Sequence, residues 1–262
     1  MNLPEQAIIH VPHASVLIPK NMQADFLIPD LQDELLRMTD RYCDVLFDCG
    51  RSMQVFPISR LVCDAERFRD DSQEIMSKKG MGLAYTRTAD GRALRRVTPE
   101  MRARLLKAYY DPHHEALTGL VDERIKNDGH CLIIDGHSFY PTPLPYENDQ
   151  DGDRPDFCIG TDAYHTPELL ESVCVNSLHK EGYSVKVNSP FVGTLVPMKY
   201  YGRDARVMSV MIEINRRIYM NGHGERAAGF EKTRKTVAAL IEKLEEETRS
   251  LGKRPQAQRK PV

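Results

Sequence analysis

Short apolar runs alternate along this chain with segments in which apolar residues recur every three or four positions. That alternation predicts strands separated by helices, and so a mostly parallel sheet covered by helices. Strands are expected at 6–11, 53–57, 60–63, 131–135, 156–160, 184–188 and 207–213. The stripe Leu35, Thr39, Tyr42, Leu46 and Cys49 predicts a single helix over 33–49, with Gly50 as its left-handed terminator. Thr98-Pro99-Glu100 predicts a helix start, with Thr98 as N-cap and Pro99 in the first turn. Asp111-Pro112 restarts or kinks that helix. Thr166-Pro167-Glu168 opens another, which Gly182 closes. Val237, Leu240, Ile241 and Leu244 form the inward face of a final helix over 226–249. No internal linker divides the chain, so 1–249 is expected as one domain. The basic, proline-containing stretch 250–262 is expected as a disordered tail.

Two connections stand out. Residues 138–156 form a long stretch with no periodic pattern, of the kind that makes lids and binding loops. The glycine-rich 80–92 segment is a second candidate loop. Composition narrows the function classes. A net charge of -2 and a pI near 6.5 give no electrostatic case for nucleic acid as partner. No apolar stretch is long enough to cross a bilayer, and the N-terminus lacks the pattern of a signal peptide, so a cytoplasmic protein is expected. The six cysteines show no zinc-ribbon spacing and mostly sit in apolar runs, as small buried hydrophobes do. There is no P-loop, no GxGxxG after a strand, no GxSxG elbow and no HExxH, which removes nucleotide-binding, serine-hydrolase and zincin readings.

The candidate chemistry lies where apolar runs stop. Cys131-Leu132-Ile133-Ile134 ends at Asp135-Gly136-His137, and Ala7–Val11 is followed by Pro12-His13-Ala14-Ser15. Histidines at the ends of buried parallel strands are candidate metal ligands. Asp40 and Asp44 share a face of the expected helix 33–49. Asp40, in line with Leu36, Cys43 and Phe47, is the better third ligand, against the alternative of two solvated aspartates. Glu213 is the one carboxylate of the buried-type strand segment 207–217. Such a carboxylate must be paired, metal-bound or neutralised, and burial would lift its pKa toward that of a general base. The alternative is an ion pair with Arg216 or Arg217. Asp64, Glu66 and Arg67 follow another expected strand; Arg67, or Arg154 in the long loop, could grip a substrate carboxylate. His114 shares a face with Leu117 and Val121. It is either a core histidine or a further polar group that stabilises developing negative charge, while His113 should point elsewhere.

Several segments taken together resemble one family. Val11-Pro12-His13-Ala14-Ser15, Thr39-Asp40 with Asp44, Ser59-Arg60 through Asp64 and Arg67, Tyr85–Thr88 before Gly91, His114, Asp135-Gly136-His137-Ser138, Asn188–Phe191 with Gly193, and Glu213 with Tyr219-Met220 run in the order of the N-formylglutamate amidohydrolases. The matches span roughly residues 8–220. That family is similar in fold to the zinc carboxypeptidases and aspartoacylases, which implies a single three-layer α/β/α domain with a central mixed, mostly parallel sheet. The resemblance implies a zinc-dependent hydrolase of the amide bond of an N-acyl amino acid, with that small molecule as substrate and no nucleic-acid or membrane partner expected. By resemblance His13 and His137 hold one Zn²⁺ and Glu213 activates water. Asp40 is the expected third ligand, because Val16 stands where the carboxypeptidase pattern has glutamate. Arg67, Arg154 and Asn188 are the expected substrate contacts, and His114 the expected assistant to catalysis. The rival readings are a deacylase or peptidase with another substrate, and a metal-free binding paralogue.

Overall fold

The computed structural model describes residues 7–252. Six strands form one sheet: β1 (Ala7–Val11), β2 (Ser52–Val55), β3 (Cys131–Phe139), β4 (Phe157–Gly160), β5 (Val185–Val187) and β6 (Val207–Asn215). The spatial order is β2-β1-β3-β6-β4-β5. All neighbours are parallel except β4 and β6, so the sheet is mixed and mostly parallel, as expected. The central strands β1, β3 and β6 are buried along their whole length, which is why they read as unbroken apolar runs.

Helices cover both faces. Ile9, Leu132, Ile134 and Val210 pack with α2 (Cys43–Leu46), α5 (Glu168–Lys180) and α6 (Phe230–Gly252). Ile8, Ile133 and Val207 pack on the other face with Leu117 and Val121 of α4 (Asp111–Asp128). The inward residues expected for the final helix are all buried, although it starts at Phe230 and runs on to Gly252, three residues into the expected tail. The rest of that tail, 253–262, lies outside the described residues.

Two local expectations differ from the structure, and a third, left between two alternatives, is decided by it. Residues 60–63 are a buried turn rather than a strand. The Ser59 hydroxyl accepts from the Leu61 amide at 3.2 Å and the Ser59 carbonyl from that of Val62 at 2.9 Å. An apolar run does not distinguish a buried turn from a buried strand. The helix expected over 33–49 is two short ones, α1 (Gln32–Met38) and α2. Between them Thr39 is extended and Tyr42 left-handed at φ 68. The break lets the Asp40 amide bond the His13 carbonyl at 3.0 Å and carries Asp40 under the first histidine turn. Asp40 is therefore in a loop, not on a helical face, and Asp44 is exposed. Finally, α3 (Pro99–Leu105), capped by Thr98 at 3.2 Å, continues through a wide π turn at 106–110 into α4, so Asp111-Pro112 restarts the helix.

Gly136 positions the site directly. A Cβ there would lie 2.9 Å from Cγ of the fully buried Phe47. Gly136→Ala should cost about 1–3 kcal/mol in urea unfolding, because strand and ring must part. An unchanged midpoint would mean that Phe47 moves freely.

Candidate active site

The carboxyl ends of β1, β3 and β6 open into a cavity of about 610 Å³. Strand register builds its floor. His137 on β3 pairs with Glu213 on β6, and His10 on β1 pairs with Asp135 on β3. His13 arrives on the turn after β1, and its ring lies 5.1 Å from that of His137, centroid to centroid.

Carboxylates hold both rings. His13 bonds Asp64 Oδ1 through Nε2 at 2.8 Å, which leaves its buried Nδ1 without a hydrogen-bond partner. That Nδ1 is 3.9 Å from Glu66 Oε2. His137 bonds Asp40 Oδ2 through Nδ1 at 3.1 Å, and its Nε2 is 3.1 Å from the same Glu66 oxygen. Asp40 Oδ1 accepts from Arg216 Nη2 at 3.0 Å. Asp64 accepts from Arg60 and from the Tyr85 hydroxyl, the latter at 2.6 Å. Behind them Asp135 bonds His10 Nδ1 at 2.8 Å and accepts the Leu195 amide at 2.9 Å, while His10 Nε2 meets His113 Nε2 at 2.9 Å.

The charges follow from these contacts. Burial pushes the Asp64 carboxyl up, but His13, Arg60 and Arg67 outweigh it and hold Asp64 well below the usual range. Burial likewise raises Asp40, and the nearby His13 ring together with the bond from His137 more than reverses it. For His137 burial favours the neutral ring, but Glu66 and Asp135 overcome it and raise the pKa well above the ordinary value.

Glu213 is the exception. Burial dominates, the charges of Asp40 and Glu66 add to it, and the pKa rises to about 8. Arg216 is committed to Asp40 and Arg217 to Asp156, so neither forms the ion pair considered for Glu213. Its buried Oε2 has no hydrogen-bond partner at all.

That raised pKa sets a pH dependence in the metal-free protein. The shift runs from 4.5 to about 8. The neutral carboxyl is the form the fold favours, so its contribution is complete at low pH and lost as pH rises through the folded value. Glu213→Gln removes this dependence. In chelator, the melting temperature of the variant relative to wild type should rise between pH 5 and 8. A difference that stays constant with pH would contradict the burial of this group.

The donor set suits a metal. Among the described residues two groups bring three ligand atoms within 4.8 Å of one another: His13, Glu66 and His137, and His10, Glu66 and Asp135. Two imidazoles and a carboxylate beside an open cavity are the usual protein ligands of a catalytic zinc. The unpartnered His13 Nδ1 points to the first group, and the carboxylates on the opposite ring nitrogens are the outer contacts such ligands require. Glu66 completes the first group, while Asp40, whose Oδ2 lies 3.6 Å from His13 Nδ1 and 3.1 Å from His137 Nδ1, belongs to neither group.

The other expected site residues separate. Arg67 lines the cavity and donates Nε to the Met81 carbonyl at 3.1 Å. His114 also lines it, but its Nε2 bonds the Ala65 carbonyl at 2.8 Å. Burial drops its pKa to about 4, so the neutral ring has one N–H and spends it there. His114 thus fixes the backbone beside Glu66 and has no proton left for an oxyanion. His113 is the fully buried member of the pair, contrary to expectation. Arg154 lies outside the cavity wall. It is buried over the Phe139 and Phe191 rings, paired with Glu147 and bonded to the Tyr140 carbonyl at 3.1 Å. Asn188 is also off the wall, where its side chain clamps Thr161 through bonds of 2.9 and 2.8 Å. Neither side chain is part of the cavity lining, although the buried Arg154 Nε has no hydrogen-bond partner. Tyr140, Leu144, Tyr146 and Glu147 of the long loop do form cavity wall.

A strand-end cluster of histidines and carboxylates over a mixed α/β sheet is the arrangement of a hydrolase that works on a polar bond. Comparison with known proteins makes the class specific. The model of the N-formylglutamate amidohydrolase family matches residues 5–220, and the chain belongs to that family. It is 29% identical over 255 residues to an N-formylglutamate deformylase of Pseudomonas aeruginosa, covering 90% of this chain and 91% of that one. Two crystal structures share the fold. An N-formylglutamate amidohydrolase from Ralstonia eutropha JMP134 superposes with a TM-score of 0.79 at 22% identity, over 94% of this chain and 95% of the other. The gene product Atu2144 from Agrobacterium tumefaciens does so at 0.66 and 17% identity, over 94% and 91%.

Proposed function

We propose that this protein is a metal-dependent amidohydrolase that cleaves the amide bond of an N-acyl amino acid of the N-formylglutamate kind. The observation that carries the reading is the unpartnered, buried Glu213 Oε2 in the strand register of His137, beside the His13, Glu66 and His137 donors. Those three side chains would hold Zn²⁺, which supplies Lewis-acid polarisation and makes water acidic enough to ionise near neutral pH. In its ionised form Glu213 takes the proton of the attacking water on its free oxygen and returns it to the departing amine. Asp64 and Asp40 keep the two imidazoles oriented. Arg67, on the cavity wall, receives the substrate carboxylate. The long loop contributes wall, with Arg154 bracing it from behind.

Other features agree. No helix among the described residues is long and apolar enough to cross a membrane. All six cysteines are free, which suits the reducing cytoplasm we take as its location. The partner is a small molecule that fits the cavity. The test is release of formate and glutamate from N-formyl-L-glutamate, followed by NMR. Zinc-loaded protein should release both, chelation should stop release, and added zinc should restore it. Turnover unaffected by chelation would exclude the metal role.

A further inference from the structure

The cavity is larger and more apolar than a formyl group requires. At about 610 Å³ it is in the range that encloses a drug-sized ligand, so it has room for an acyl group larger than formyl beside the amino-acid half. Its walls rest on different parts of the fold. One carries Arg37, Arg60, Arg67 and Arg216 with Tyr140 and Tyr146, and both tyrosines pack on the cluster of Met38, Leu61, Met81 and Tyr85. The other is the 190–201 segment, whose Val196 and Tyr200 pack on the α4 face of the sheet with Leu117 and Val121. Asp135 and Ser209 hold this segment, through Leu195 and Thr194 at 2.9 and 2.7 Å, so the wall is fixed rather than a floating loop.

The apolar wall is also exposed. Among the described residues eight large hydrophobic side chains are exposed, and four of them, Phe68, Val192, Met198 and Tyr201, line this one cavity. Val192 and Met198 are 73% and 61% exposed. Scattered surface hydrophobics need no explanation, but a group gathered around one polar centre marks a surface that a ligand covers.

Taking amide hydrolysis as the reaction, we infer that the acyl group of the substrate is an apolar chain or ring of several carbons. It lies against Phe68, Val192, Met198 and Tyr201, while the amino-acid carboxylate faces the arginines. The scissile carbonyl carbon separates these two halves of an N-acyl amino acid, and the one cavity is lined by the reactive cluster, by arginines and by apolar side chains, Phe68 beside Arg67 and the other three on the 190–201 segment. Water adds to that carbon, the C–N bond breaks, and the amine leaves with the proton carried by Glu213. The products are a free fatty or aryl-alkyl carboxylate and an amino acid. Burial of each methylene adds up to about fourfold to kcat/KM.

The test is kcat/KM of the zinc-loaded full chain on N-formyl-, N-acetyl-, N-hexanoyl- and N-phenylacetyl-L-glutamate. The hexanoyl and phenylacetyl compounds should exceed the formyl compound by about tenfold or more. In Val192→Ser and Met198→Gln, at exposed positions where folding is not at stake, that ratio should fall severalfold. A formyl compound cleaved as well as or better than the long acyl compounds overturns this inference and leaves amide hydrolysis intact. Failure of all four with metal bound removes the hydrolase reading, and this inference with it.

Discussion

Glu213→Gln should lower kcat on the best substrate by about 10²–10⁴-fold while the protein keeps its metal. The carboxamide has nearly the shape of the carboxyl, so the neutral state that burial favours is mimicked and the fold is undisturbed. What disappears is the capacity to take a proton on Oε2. That oxygen is buried and has no hydrogen-bond partner, so nothing else in the fold depends on it. The size of the turnover loss discriminates between roles. Glu213 acting only through packing would leave turnover near wild type, since packing is preserved. Elemental analysis beside steady-state kinetics checks both halves. Loss of metal in the variant would make Glu213 a ligand and contradict its role as base.

The second large effect separates Glu66 from Asp40. Glu66→Ala should remove metal and activity together, because it takes away one of three donors. Asp40→Asn should keep the metal site but weaken it by about 10- to 100-fold, the usual cost of losing an outer carboxylate on a ligating imidazole. Asp40 Oδ2 contacts His137 at 3.1 Å, and Arg216 holds its other oxygen. Competition with a chromophoric chelator measures both affinities. The reverse order, with Asp40→Asn losing metal and Glu66→Ala retaining it, would restore Asp40 as the ligand.

The sequence pattern made the sheet legible because its central strands are buried on both faces and read as unbroken apolar runs. It also placed His13, His137 and Glu213, since a polar residue at the end of such a run has only the sheet edge to occupy. The helix break at Thr39–Tyr42 was hidden, because Tyr42 takes a left-handed conformation that its residue type does not announce. With the break missed, Asp40 was placed on a helical face, yet it still falls in the site. Glu66 was visible only as a charged neighbour of Arg67. Its place in the site depends on where a buried turn aims it, and residues 60–63 look like a strand. The Asp64–Glu66–Arg67 run carried the available signal: acids beside arginine directly after an apolar stretch. The burial of Arg154 is hidden for the opposite reason. A charged residue in a polar loop normally faces solvent, but this one is buried beneath the loop against two aromatic rings.

The most direct test of the account is a diffraction map from crystals of the zinc-loaded protein, with data collected on both sides of the zinc absorption edge. The account predicts one strong anomalous peak within coordination distance of His13 Nδ1, a Glu66 oxygen and His137 Nε2, with Glu213 beside it but not bound to it. A peak coordinated by Asp40 and not Glu66, or no peak in protein that turns over substrate, would contradict it.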